Sequence, residues 1–118
     1  PAEGFTVFGD GRQERAFLYV HDCVEGLIRC IERVTNAEPV NLGNQDVVSI
    51  AEVALMMIEL SGKRIDVEYD LAGPRGTCRY TADTTRMKSL LDWTPEISLH
   101  EGLKRTFDWE RVWLSPRT

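Results

Sequence analysis

Apolar residues recur along this chain in two rhythms, one alternating and one helical, and the breaks between them fall on glycine, proline and asparagine. Phe5-Thr6-Val7-Phe8 alternates as a strand does, and Gly9-Asp10-Gly11 ends it as a turn. Ala16 to Val20 is apolar and aromatic and predicts a second strand. Asp22 is placed to cap the helix that follows. That helix carries Val24, Leu27, Ile28 and Ile31 at the spacing of a buried stripe, and it is expected to stop near Val34, before Asn36. Pro39 to Leu42 predicts a short strand, closed by Gly43-Asn44.

The second half follows the same logic. Ser49-Ile50-Ala51-Glu52 is a capping box, in which hydroxyl and carboxylate satisfy each other's backbone amides. It opens a helix with Ile50, Val53, Ala54 and Met57 on one side and a stop at Ser61-Gly62. Ile65 to Tyr69 alternates as a half-buried strand. Ala72 to Arg79 contains Gly73-Pro74 and Gly76 and must be a loop. Asp83 can cap a short helix to Leu91. Ser98-Leu99-His100-Glu101 is a second capping box, starting a last helix with Leu99, Leu103, Phe107 and Leu114 on its core side and Pro116 at its end. About four helices interleaved with short strands predict an α/β domain.

The 118 residues suffice for one compact domain, residues 1–118, and not for two. With 42% hydrophobic and 28% charged residues the chain is globular in composition. Its apolar runs are too short to span a bilayer. The net charge of -5 argues against a nucleic-acid partner, which would require a basic face. The opening Pro1-Ala2-Glu3-Gly4 has neither a signal-peptide pattern nor an initiating Met, so the chain is expected to be a piece of something longer. Cys23, Cys30 and Cys78 show no metal-ligand spacing and read as small hydrophobes in a reducing cytoplasm. His21 is near Cys23 in sequence but points to the other side of a helix, away from any role in lowering its pKa.

Candidate chemistry is sparse. The Gly9-Asp10-Gly11 turn leads into a strand, so it is not the strand–loop–helix glycine motif that holds a dinucleotide pyrophosphate. No Tyr is followed by a Lys four residues on, and no Ser-His-Asp or metal cluster stands out. Two arginines sit where a loop meets an ordered element: Arg15 after the first turn, and Arg79 at the end of the Gly/Pro loop. A guanidinium makes paired, charge-assisted hydrogen bonds to phosphate oxygens, and two from separate loops can hold a diphosphate. On residue type alone each is more at home as a solvated surface cation. Phe8, beside the first turn, can stack on a base or serve as a core aromatic at a strand end.

The run from Gly9 to Asp22, GDGRQERAFLYVHD, resembles the Gly-Asp-Gly-x-Gln-x-Arg-x-Phe-x-Tyr-Val-x-Asp signature of the extended short-chain dehydrogenases, the NAD-dependent nucleotide-sugar epimerases, dehydratases and decarboxylases. Val40-Asn41-Leu42-Gly43, the run from Arg79 through Asp83-Thr84-Thr85-Arg86 to Trp93-Thr94-Pro95, and Ser98-Leu99-x-Glu101-Gly102-Leu103 are similar to three further landmarks of that family, in the same order. Cys23-Val24-Glu25-Gly26 and Gly73-Pro74-x-Gly76 lean toward its GDP-mannose 3,5-epimerase-like members. Two positions depart from the usual sequences. Asp92 stands where a glycine is usual, and His21 where an acidic residue is common.

The resemblance implies a fold and a division of labour. The chain corresponds to the small C-terminal substrate-binding domain, without the Rossmann half that carries NAD(P), the Tyr/Lys pair and its Ser/Thr partner. Arg15 and Arg79 correspond to arginines that grip the diphosphate of a UDP-, GDP- or dTDP-sugar. Asn41 corresponds to a polar contact on the nucleotide side, Phe8 to a residue against the base, Gln13 to a motif position, and Val7 to a wall of the base site. In such enzymes NAD takes a hydride from the sugar ring to give a keto intermediate, with the Tyr as base. This chain would hold the nucleotide and so place the sugar, bind no cofactor by itself and turn over nothing alone. The alternative is a non-catalytic interaction module that self-associates through the surface a cofactor domain would cover.

Overall fold

A computed structural model describes residues 4–74 and 76–114. Pro1, Ala2, Glu3 and the terminator Pro116 lie outside the described residues. Nine elements alternate through these residues: β1 (Gly4–Phe8), β2 (Glu14–Ala16), α1 (Val20–Arg33), β3 (Val47–Ser49), α2 (Ile50–Ser61), β4 (Asp66–Asp70), β5 (Arg79–Tyr80), α3 (Thr85–Leu91) and α4 (Leu99–Leu114). The four helices and short strands are those of the expected α/β fold.

The strands form two small ladders. β1 runs parallel to β4, from Gly4 opposite Asp66 to Phe8 opposite Asp70. β2 is the middle strand of the other sheet, antiparallel to β3 and parallel to β5. α2 packs on β1, β3 and α4, and α1 packs on α3. Two local signals are met in full. Ser49 and Glu52 close both halves of the capping box on α2, and Gly62 ends that helix with a left-handed φ of 66°. Asp92 ends α3 in the same conformation, with φ 47° and ψ 48°. Asp is one of the few side chains that tolerates this, because it can bond locally to the backbone.

Several expectations are corrected. The strand predicted over Ala16 to Val20 stops at Ala16, and helix α1 begins at Val20. Between them Tyr19 crosses α4, so close to Gly102 that an added Cβ there would lie 3.2 Å from the ring. Asp22 does not cap α1; Tyr19 holds the N-cap position. Asp22 is instead buried in the first turn, where its Oδ2 accepts from the amides of Glu96 (3.2 Å) and Ile97 (2.9 Å) and ties α1 to the approach of α4. Pro39 to Leu42 forms no strand; Val40 and Leu42 contribute side chains rather than ladder bonds. The predicted core positions of α4 end early, since Leu99, Leu103 and Phe107 are half-buried but Leu114 is exposed.

The largest correction concerns the stripe on α1. Val24, Leu27, Ile28 and Ile31 face outward, from 46% exposed at Ile28 to 84% at Ile31. The inward face is the small one. Gly26 sits so near Trp93 and Leu42 that a Cβ would meet them at 3.0 and 3.1 Å. Cys30 and Val34 join Val40 and Leu42 around the buried centre of Met87, Leu91 and Trp93. Cys23 is half-buried, and Cys78 is exposed rather than a core residue.

The result is a slab of 56 × 41 × 19 Å, about two elements thick. Its radius of gyration of 17.3 Å exceeds the roughly 13.5 Å of a compact chain this long. Its accessible surface of 8696 Å² likewise exceeds the roughly 6500 Å² expected for this mass. Much apolar area therefore remains open to water.

Candidate functional site

The turn after β1 is fixed from three sides. The Gly9 amide extends the β1–β4 ladder by donating to Asp70 O (2.8 Å). The Arg12 amide donates to Asp10 Oδ1 (3.1 Å), closing the turn through its own side chain. Gly11 adopts φ 73°, and an added Cβ would lie 2.8 Å from the Tyr69 ring and 3.0 Å from Ala51, so no side chain fits there. The amides of Ile50 and Ala51, at the start of α2, donate to Gln13 O (3.0 Å) and Gly11 O (2.9 Å). That helix end is thereby satisfied by protein, and the glycine turn leads to β2, not to a helix.

Phe8 and Gln13 meet at this turn. The Gln13 Nε2 donates to Phe8 O at 2.8 Å. Phe8 is 54% exposed, and its ring lies against Gly73, where an added Cβ would approach it to 2.6 Å. Asp70 shapes the surface beneath by accepting from the amides of Ala72 (3.0 Å) and Gly73 (3.1 Å). Phe8 is thus an exposed aromatic rather than a core one. Val7, one residue earlier and on the other side of the strand, is buried at 3% and lies in the interior.

Arg15 and Arg79 meet at the β2–β5 pair. Register sets Glu14 opposite Arg79 and Arg15 opposite Tyr80, and the Glu14 amide donates to Cys78 O (2.7 Å). Alternation sends Glu14 and Arg79 off one face and starts Arg15 on the other. The Arg15 guanidinium then turns to the loop before β5. Its Nη1 donates to Glu14 O (2.6 Å) and Thr77 O (2.8 Å), and a Cβ at Gly76 would meet its Nη2 at 2.7 Å. The Arg15 guanidinium is therefore bound to the loop just before Arg79, whose own side chain leaves the other face of the pair beside Glu14. Arg79 is the more open of the two and faces the Glu14 carboxylate, with Nε 3.7 Å from Oε2.

Asn41 stands on the loop that follows α1, against the chain leaving β5. Its Nδ2 donates to Asp83 O (3.1 Å), and Gln45 Nε2 donates to Ala82 O (3.1 Å). Pro39, Asn41, Asp83, Thr85 and Arg86 line a polar cleft of about 210 Å³. Hydrogen bonds from the Thr85 hydroxyl and amide hold the Asp83 carboxyl below the ordinary carboxylate range. Asn41 joins neither the Phe8–Gln13 contact nor an arginine directly in the hydrogen bonds it makes. Glu14 was not singled out from sequence. Its role depends on a pairing across 65 positions, which no local signal carries.

Among the described residues no three His, Cys, Asp or Glu side chains come together as a metal site, and no helix is long and apolar enough to cross a membrane.

The family profile described as GDP-mannose 4,6 dehydratase matches residues 2–106, and the chain belongs to this family of NAD-dependent nucleotide-sugar epimerases and dehydratases. It is 35% identical over 105 residues to GDP-mannose 3,5-epimerase of Arabidopsis thaliana, a match covering 89% of this chain and 27% of that protein. Its fold matches UDP-glucuronic acid 4-epimerase of Bacillus cereus, solved with UDP-glucuronic acid and NAD, at a TM-score of 0.82 and 31% identity, over 92% of this chain and 35% of that one. UDP-glucose 4-epimerase of Thermotoga maritima, solved with UDP-glucose, matches at a TM-score of 0.82 and 28% identity, over 96% and 36%. The chain thus spans about a third of the length of these relatives.

Proposed function

We propose that these residues bind the nucleoside-diphosphate part of a nucleotide sugar, for an NAD-dependent epimerase or dehydratase that works through a keto-sugar intermediate. The observation that carries the reading is the placement of Arg15 and Arg79 on the neighbouring strands β2 and β5, with the Arg15 guanidinium bonded to Thr77 O in the loop just before Arg79. Two guanidiniums on neighbouring strands give a diphosphate bidentate, charge-assisted partners, and Phe8, exposed at the nearby turn, offers a face for the base. The complexes of relatives with UDP-sugars and NAD support the ligand class. These residues supply the positioning half of the chemistry and, on their own, neither bind NAD nor turn over substrate. Their three unpaired cysteines suit a reducing cytoplasm. Titration calorimetry with UDP and GDP tests the binding. Arg15→Ala and Arg79→Ala should each weaken it about tenfold, the scale of one charge-assisted contact. Unchanged affinity in both variants would refute the assigned roles.

A second reading rests on the outward stripe of α1. Val20, Val24, Leu27, Ile28 and Ile31 form a continuous apolar face, and surfaces of this kind mark association sites. Self-association through it is measured by size against concentration. A monomer that persists at high concentration counts against this reading.

A further inference from the structure

Glu14 is the acidic residue nearest the proposed diphosphate grip, and its position is not accidental in the backbone. The parallel register fixes it beside Arg79, and its amide bond to Cys78 O holds that register at the point of contact. The carboxylate is open to solvent, as is the guanidinium, with Oε2 and Nε 3.7 Å apart. An exposed pair at this distance holds the arginine weakly, so an anion with better geometry can take the arginine from it. Arg15 differs. Two backbone carbonyls hold its guanidinium, and no carboxylate is among those bonds.

We infer that Glu14 acts as a built-in competitor for the phosphate ligand, occupying Arg79 until a diphosphate displaces it. This rests on the diphosphate reading above. A ligand must exchange the Glu14–Arg79 pair for its own contact and then lie close to a negative charge. Glu14 therefore sets affinity downward and favours ligands whose diphosphate is esterified on both sides, as in a nucleotide sugar. A free nucleoside diphosphate carries about one further negative charge near neutral pH and suffers more repulsion. The residue thus discriminates in favour of sugar-bearing nucleotides without touching the sugar.

Calorimetric titration of the 118-residue chain with UDP, GDP and UDP-glucose provides the test. Glu14→Gln keeps size and hydrogen-bonding capacity while removing the charge. It should tighten UDP and GDP by about three- to tenfold, the effect of one nearby charge in a largely aqueous setting, and tighten UDP-glucose less. In an Arg79→Ala background the gain should shrink, because the competition runs through Arg79. Glu59→Gln, the same charge change at a distant exposed site on α2, should leave affinity as it was. Equal tightening by Glu59→Gln, or no tightening by Glu14→Gln while Arg79→Ala still weakens binding, overturns the inference and leaves the diphosphate reading standing. Indifference of binding to both arginine substitutions overturns the two together, as does the absence of binding by every variant at millimolar ligand.

Discussion

The contact of α1 with α3 and the pair of ladders around β1 and β2 close their interiors to different degrees. At the first, Met87 and Leu91 are fully buried, Trp93 nearly so, and Gly26 allows helix and tryptophan to approach within contact. At the second, Val7 and Ala54 are the buried hydrophobics, while Phe5, Phe8 and Tyr69 stay open. The residues proposed to bind phosphate all lie on the second region. The closed core and the residues proposed to bind phosphate therefore lie in different parts of the slab. A side chain in the well-filled region is held by its neighbours, whereas Phe8 is open to solvent and Arg79 has only the loose pair with Glu14.

The strongest way to break this contrast is to empty the filled region. Leu91→Ala should cost about 2 to 5 kcal/mol, as deletions from closed cores do, and Val67→Ala on the half-buried face of β4 about 1 kcal/mol. Equal losses in chemical denaturation would erase the distinction. Next comes Asp22→Ala, which removes the acceptor of the part-buried amides of Glu96 and Ile97 and should cost about 2 kcal/mol. Asp22→Asn keeps an acceptor and should lose less. Replacing the left-handed Asp92 by glycine acts in the other direction, raising the melting temperature through about 1 kcal/mol of relieved backbone strain.

The smallest effect sharpens the comparison through pH. The hydrogen bonds from Ser49 backbone and side chain lower the Glu52 carboxyl below its ordinary value of 4.5. A carboxylate depressed in the folded state stabilises it above the unfolded value, and this is lost as pH falls through the folded value. Asp83, Glu101 and Asp108 are shifted in the same direction by Thr85, Arg105 and Lys104. Melting temperature should therefore drop with acid below about pH 4.5, and Glu52→Gln should flatten part of that slope.

What the sequence reveals follows from how locally each feature is determined. Ser49 with Glu52, Gly62 and Asp92 act on their own turns, and helix ends at these positions were readable. The four family landmarks likewise lie along the chain. The facing of α1 was not readable, because periodicity marks an apolar stripe but not what covers it. Here the tight partner is the narrow face around Gly26, selected by the bulk of Trp93 from a distant loop. Val40 and Leu42 look like strand residues because they are apolar and partly buried, which a strand and an irregular loop achieve equally well. Arg15 and Arg79 could be nominated one at a time. Their placement on adjacent strands, and the carboxylate of Glu14 beside Arg79, depend on a long-range parallel pairing.

The most direct test of nucleotide binding at the β2–β5 junction is a map of amide chemical shifts during addition of UDP or GDP to the isotope-labelled chain. The account predicts that shifts concentrate on Gly9 to Arg15 and Gly76 to Tyr80, with Met87 to Trp93 unmoved. Shifts centred instead on the groove between Tyr19 and α4, or spread evenly over the slab, would contradict it.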